Sequence, residues 1–359
     1  MQPGETEGAA QRRYRVVQWA TGNVGMRSLR AVIEHPQLDL VGLYVTSAEK
    51  AGKDAGELCD LGPVGVKATR SVDDIWALRP DCVLYMPRET NFDDVCRLLA
   101  SGANIVTTRG EFHYPSLLAP EVRQRIEHAC QAGRASLHAT GSSPGFITEA
   151  MPLLLCSIQR NLERITIDEY ADVSSRDSPD MLFNIMGFGA EPATFDVRRL
   201  DHVRANFEQS LHLVADAVSL PIENVETKGE LGLARHDIQI AAGVVKAGTV
   251  AATRITVAGM RAGKELMRFR ANWYVSTDIE QDWDLRETGW RVHVEGDTPM
   301  DVGIRFPVPA ERWAAFTPGL TAHRPVNAIP YVCEAPPGMQ TTADLPQIIA
   351  NLGGAERTN

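Results

Sequence analysis

The sequence predicts an α/β protein: a doubly wound parallel sheet first, then a second α+β domain carrying a mixed or antiparallel sheet. Three observations predict it. From Tyr14 short apolar runs alternate with amphipathic helical patterns. A glycine-spaced turn joins the first such run to the first helix. After Gly145 the rhythm changes to longer β-type runs. A chain of 359 residues holds about two domains at the usual ~100–200 residues each. The boundaries expected are 14–148 for the first domain, 149–318 for the second, and 319–352 for a terminal segment that returns to the first.

In the first domain, strands are expected over Arg15–Trp19, Leu38–Val45, Val64–Ala68, Cys82–Met86, Asn104–Thr108 and Ala135–Ala139. Val24–Glu34 reads as helix and stops before Pro36, which cannot continue one. Ser71 with Asp74 resembles a capping box opening a short helix. Asn91–Ala100 stops at Gly102, and Pro120–Ala132 opens on proline and closes on Gly133. Short strands alternating with helices build a parallel sheet covered on both faces, expected here in the order 3-2-1-4-5-6.

In the second domain, Arg164–Val173, Thr249–Met260, Glu265–Val275 and Arg291–Glu295 read as strands. Arg261–Lys264 reads as a hairpin turn. Val197–Ala217 reads as a long helix, and Gly319–Ile329 as the helix of the terminal segment. Within the Met/Phe/Leu-rich segment Asp177–Phe188, the apolar run Met181–Gly189 fits a helix core as well as it fits a substrate-pocket wall or a dimer contact.

Composition excludes several classes. Hydrophobic residues make up 44%, enough for a packed core rather than a disordered chain. A net charge of −10 argues against nucleic acid or an anionic membrane as partner. None of the six cysteines falls in a CxxC pair or at zinc spacing, so they are read as reduced thiols and no metal is implied. Met1–Arg13 is polar, lacks the apolar core of a signal peptide and reads as a loose tail. No apolar run approaches the ~20 residues of a membrane span, so a cytoplasmic location is expected.

The turn Ala20-Thr21-Gly22-Asn23-Val24-Gly25 reads as A-x-G-x-x-G, a dinucleotide fingerprint with alanine at the first glycine position. Gly22 admits a pyrophosphate to the backbone, and Gly25 lets the helix pack against the strand. Such a triplet is weak alone. A strand before it and a helix after it make it specific for a Rossmann domain. An NAD-preferring site would place an acid about 20 residues further on to hold the ribose hydroxyl. This chain has Thr46 and Ser47 there, then Lys50 and Lys53, which favours NADP, with NAD also possible.

Three more signatures complete a resemblance. They are Met86-Pro87-Arg88 after strand four, Thr107-Thr108-Arg109-Gly110-Glu111 after strand five, and Ser143-Pro144-Gly145-Phe146 after strand six. With the Trp19-Ala20-Thr21-Gly22 start, the chain resembles the dihydrodipicolinate reductase-like superfamily, and the terminal Thr321-Ala322-His323-Arg324-Pro325 run points to one branch of it. Within it, the chain looks most like the branch of 2,4-diaminopentanoate dehydrogenase and the native NAD(P)H-dependent amine dehydrogenases. The resemblance covers Tyr14 to about Leu352. The paired histidines of true dihydrodipicolinate reductases are missing, which argues against lysine biosynthesis.

The resemblance implies reductive amination of a small carbonyl compound with ammonia, or its reverse, by a homodimer joined through the second domain. It maps the branch's active-site glutamate onto Glu111. Ala20, Thr21, Gly22, Asn23, Val24, Thr46, Ser47 and Lys50 are expected on the cofactor. So are Met86, Pro87, Thr107, Thr108 and Arg109, with Pro144, Gly145 and Asn327 toward the nicotinamide. Tyr170, Phe183 and Met186 are candidates for the substrate pocket. His113 reads as a loop residue. Another C=N or C=O reductase, or a non-catalytic NADP-binding regulator, would use the same scaffold. A carboxylate at Glu111 favours catalysis.

Overall fold

The structure is a computed structural model that describes residues 12–309 and 312–353. Along the chain run β1 (Tyr14–Trp19), α1 (Asn23–Glu34), β2 (Leu38–Tyr44), α2 (Ala55–Leu58), β3 (Ala68–Thr69) and α3 (Val72–Ala77). Next come β4 (Cys82–Tyr85), α4 (Phe92–Ala100), β5 (Asn104–Thr107), α5 (Pro120–Gly133) and β6 (Ser136–Ala139). The middle holds α6 (Met151–Cys156), β7 (Leu162–Asp172), α7 (Val197–Ala217), β8 (Asn224–Leu233), β9 (Ile238–Ile240) and β10 (Gly243–Val245). It ends with β11 (Val250–Arg261), β12 (Lys264–Tyr274), β13 (Gly289–Gly296) and β14 (Met300–Arg305). Last are α8 (Trp313–Glu334) and β15 (Gly338–Gln340).

The chain divides into two compact units, one ending at Ser142 and resuming at Pro318, the other spanning Ser143–Thr317. The first contains a seven-stranded parallel sheet in the order β15-β6-β5-β4-β1-β2-β3. This is the doubly wound order expected, extended at one edge by β15, a three-residue strand too short to read from the sequence. Val17, Val83, Ile105 and Leu137 face one layer of helices and pack with Ile75, Leu98 and Ile126. Their neighbours Val16, Leu84 and Val106 face the other and pack with Val32, Val326 and Ile329. Strands buried on both faces therefore read as unbroken apolar runs.

Three local expectations need correction. The third strand is only Ala68–Thr69, not Val64–Ala68. The Asp54 carboxylate accepts from Val64 N (2.9 Å) and Gly65 N (2.8 Å), so those amides are held in a loop rather than in the ladder. The terminal helix is longer than Gly319–Ile329 and runs through Pro318, Pro325 and Pro330. A helix-interior proline costs about 3 kcal/mol, but each buried aliphatic side chain contributes about 1.5–3 kcal/mol, and Val326, Ile329 and Val332 are all buried. Most of the tail expected over Met1–Arg13 lies outside the described residues, but Arg13 itself is docked. Its guanidinium binds Asp39 (2.9 Å from Nε) and the carbonyls of Pro36 and Leu38. His113 does lie in the bend that follows the Gly110–Phe112 turn, and it is buried there.

The second unit contains a six-stranded mixed sheet in the order β14-β13-β7-β12-β11-β8, in which only β7 and β12 run parallel. Ala262 (φ 48°) and Gly263 (φ 71°) turn the β11–β12 hairpin, both in the left-handed region such two-residue turns require. Strand β8 was hidden in the sequence by its charges, Glu226, Lys228 and Glu230 alternating along it. One face of the sheet packs on α7, where Phe207 stacks on Phe269 with ring centroids 3.6 Å apart. The opposite face is polar: Arg270 binds the Asp168 carboxylate through two nitrogens (2.6 and 2.8 Å), and Arg254 donates to Asn272 (2.7 Å).

Candidate active site

The β1–α1 turn is set by side chains as well as by glycines. Ala20 takes a left-handed conformation (φ 74°), and its N–H donates to Tyr44 O (2.9 Å). Buried Gln18 reaches forward, donating to Ala20 O (2.9 Å) and accepting from Ser28 Oγ (2.6 Å). Strand, turn and helix are thereby fixed to one another. A Cβ at Gly25 would stand 2.4 Å from Ala20 O, so only glycine lets α1 approach this closely. At Gly22 the space where a Cβ would stand is open to beyond 4 Å. No side chain caps α1, and its first turn carries no acidic residue. Free amides beside open space are what a phosphate group needs. The stretch Thr21–Val24 thus fits a dinucleotide pyrophosphate. Lys50 adds a cation there, its Nζ donating to Thr21 O (2.8 Å) and Thr21 Oγ1 (3.1 Å). Thr46 and Lys53 are exposed, and Ser47 is half-buried.

A second cluster lies at the carboxyl ends of β4 and β5, where open parallel sheets place ligands. Thr107 is fully buried; its hydroxyl donates to Tyr85 O (2.6 Å) and accepts from Arg109 N (3.1 Å). That hydroxyl ties strands together and is not available to a ligand. Burial pushes the Tyr85 phenol up, and its oxygen accepts from Asn91 N (3.0 Å). Glu111 sits in the 3-10 turn Gly110–Phe112. Its Oε1 accepts from Arg109 Nε (3.2 Å) and from the Thr90 hydroxyl. Arg109 Nε also donates to Thr90 Oγ1 (3.1 Å), and a terminal nitrogen donates to Arg88 O (2.6 Å). Oε2 of Glu111 takes no hydrogen bond among the described residues, and the side chain is 25% exposed. A carboxylate with one oxygen anchored and one free can accept a proton or face a cation.

The other expected residues are dispersed. Met86 borders the fingerprint, its Sδ accepting from Ser28 Oγ (3.4 Å), and half-buried Pro87 and Thr108 flank the strand ends. Pro144 and Gly145 open the second unit. Gly145 (φ 120°) donates to Thr148 Oγ1 (2.9 Å), which donates in turn to Ser210 Oγ (2.9 Å). Beside them, Ser143 Oγ is buried with no hydrogen-bond partner among the described residues. Asn327 is a correction. It lines a groove with His35 and Gln37, at the amino end of β2, and so stands apart from the strand carboxyl ends. The helical register that buries Val326 and Ile329 against the sheet turns Asn327 toward that groove. Tyr170, Phe183 and Met186 do come together, in the apolar core of the second unit around Leu182 and Phe188. Tyr170, 3% exposed, also lines a cavity of about 470 Å³ with Trp290, Arg286 and Arg291.

Comparison with known proteins decides the family. Residues 146–359 match the 2,4-diaminopentanoate dehydrogenase C-terminal domain. Over 345 residues the chain is 30% identical to an amine dehydrogenase of Streptomyces virginiae, covering 92% of this chain and 95% of that one. The chain belongs to the amine dehydrogenase and 2,4-diaminopentanoate dehydrogenase family. It is an oxidoreductase of the amine dehydrogenase type. The 2,4-diaminopentanoate dehydrogenase of Acetoanaerobium sticklandii is 24% identical over 267 residues, 73% of this chain and 72% of that one. An amine dehydrogenase structure from Mycobacterium smegmatis shares the fold, with a TM-score of 0.71 at 18% identity over 97% of this chain and 99% of that one.

In this amine dehydrogenase-type chain, three residues of the two clusters were not found from sequence. Thr90 meets Glu111 across 21 residues, and no spacing rule joins them. Gln18 and Ser28 lie inside an ordinary apolar strand and an ordinary helix. Their pairing shows only once β1 and α1 are packed.

Proposed function

We propose that the chain catalyses reductive amination of a small ketone or aldehyde, and the reverse oxidative deamination, with Glu111 as the active carboxylate. The carbonyl compound, ammonia, reduced nicotinamide and a proton give the amine, oxidised nicotinamide and water. The observation that carries this reading is the half-anchored carboxylate at the end of β5, with Oε1 held by Arg109 and Oε2 free. Glu111 would hold ammonium, take its proton as the nitrogen adds to the carbonyl, return that proton to the hydroxyl that leaves the carbinolamine as water, and stabilise the cationic iminium. The dinucleotide, held at Thr21–Val24, supplies or accepts the hydride.

NADP is the preferred cofactor in this reading. Lys50 brings positive charge to the fingerprint turn, and no acid at Thr46 repels a 2′-phosphate. The protein is a homodimer joined through the second unit. The polar face of its sheet supports this: Arg268 Nε is buried there without a hydrogen-bond partner among the described residues. A second copy can bring an acceptor to that nitrogen.

The test is turnover of a ketone and aldehyde panel with NADPH and NADH, each with and without ammonia. Oxidation of the cofactor only when ammonia is present supports amination. Turnover with the carbonyl alone makes the chain a carbonyl reductase, and binding without turnover across the panel makes it a regulator.

A further inference from the structure

We propose that Thr90 is a positioning residue for Glu111, an assignment that rests on Glu111 being the active carboxylate. Thr90 lies in the segment between β4 and α4, and that segment is anchored on both sides of it. Arg88 O accepts from the Arg109 guanidinium (2.6 Å), and Asn91 N donates to the Tyr85 hydroxyl (3.0 Å). Asn91 also caps α4 through Asp93 N (3.0 Å) and Asp94 N (3.3 Å). A β-branched side chain on such a segment has a stiff first torsion.

The hydroxyl carries one proton and two lone pairs. The proton goes to Glu111 Oε1, and a lone pair accepts from Arg109 Nε (3.1 Å). Thr90, Arg109 and Glu111 therefore close a three-membered ring of hydrogen bonds in which each group fixes the other two. The terminal torsion of a glutamate is broad and nearly two-fold. Arg109 alone, at 3.2 Å, would tolerate rotation and exchange of the two oxygens. With two donors converging on Oε1, Oε2 is left as the oxygen without a hydrogen bond among the described residues. Holding that oxygen in place before substrate arrives acts on the rate of the chemical step and not on cofactor affinity.

The experiment compares Thr90→Val, which deletes the hydroxyl at nearly constant shape, with Thr90→Ser, which keeps it. Both are made in the natural chain and in Glu111→Gln, and kcat, KM and cofactor Kd are measured for amination. Thr90→Val is expected to lower kcat about tenfold or more with cofactor Kd unchanged, and Thr90→Ser to recover most of that rate. In the Glu111→Gln background Thr90→Val should cost nothing further, as coupled residues do. A Thr90→Val enzyme with the natural kcat overturns the proposal, as does a loss that persists in full without the Glu111 carboxylate. Loss of cofactor binding in Thr90→Val also overturns it, by showing a purely structural hydroxyl. A Glu111→Gln chain that turns over normally overturns instead the reading on which the proposal rests.

Discussion

The Lys50 ammonium lies 2.8 Å from the carbonyl oxygen of Thr21 and 3.1 Å from its hydroxyl. A side chain from beyond β2 thus closes over the fingerprint turn, where a free lysine would be dispersed in solvent. It brings a positive charge to the place where the adenosine end of a dinucleotide meets β2. Lys50→Met should therefore weaken NADP binding about tenfold while changing NAD binding little, since only NADP carries the extra phosphate. Thr46→Asp should move preference toward NAD, because two like charges near 4 Å repel by roughly 1–4 kcal/mol at a protein surface. Parallel fluorescence titrations decide it. NAD binding far more tightly than NADP in the natural chain would remove the basis of the preference.

The two glycines of the fingerprint should fail in different ways. Gly25→Ala puts a Cβ 2.4 Å from backbone oxygen, which cannot yield without separating α1 from β1. Overpacking of this kind costs typically 1–3 kcal/mol, visible as a lowered Tm with or without cofactor. Gly22→Ala meets nothing within 4 Å, and Gly22 has φ −70°, which alanine adopts freely. Its Tm should be unchanged, while cofactor affinity falls about tenfold or more because the methyl occupies the phosphate approach. Equal cofactor affinity in Gly22→Ala and the natural chain would show that the pyrophosphate lies elsewhere.

Acid should destabilise the fold before its carboxylates titrate. Burial, reinforced by Arg13, holds His35 below the usual histidine value, and burial does the same to His212. With the folded value lowered, the unfolded chain binds the proton first as pH falls through about 6.5. Stability is then full above that pH and declines below it. Tm should fall between about pH 7.5 and pH 5.5, and fall less in a His35→Gln, His212→Gln double variant. An identical decline in both proteins would assign the acid sensitivity to other groups.

Assembly is checked by sedimentation at micromolar concentration. A dimer is expected, and Arg268→Glu should shift it toward monomer by placing a carboxylate where the sheet face already holds Glu265, 3.4 Å from the Arg268 guanidinium. Only monomer in the natural chain would contradict the dimer.

The parallel sheet was legible because its strands are buried on both faces and its helices carry conventional stops. Ser71 and Asn91 do cap α3 and α4, whereas α5 runs through Gly133 and takes its left-handed cap at Arg134 (φ 54°). Elements escaped where side chains took over the backbone's bonds or masked its pattern. Asp54 captures the amides of Val64 and Gly65, and charges cover β8. The prolines of α8 read as stops because their cost is local, while the burial that offsets it is not. In the candidate site, Glu111 and the fingerprint were legible as runs along one strand end. Thr90, Gln18 and Ser28 were not, because each meets its partner only through tertiary packing. Asn327 was misplaced because a helix pattern fixes which residues share a face and not which end of the sheet that face meets.

The most direct measurement is ammonia-dependent kcat for Glu111→Gln, taken with cofactor Kd in the same preparation. Glutamine keeps the shape and can still accept from Arg109 and Thr90, but it carries no charge and takes up no proton. The account predicts a fall in kcat of roughly 100-fold or more with cofactor affinity nearly unchanged, because it assigns the dinucleotide phosphates to Gly22 and the start of α1. Near-normal turnover with intact cofactor binding would contradict it and reduce Glu111 to an ion-pair partner of Arg109.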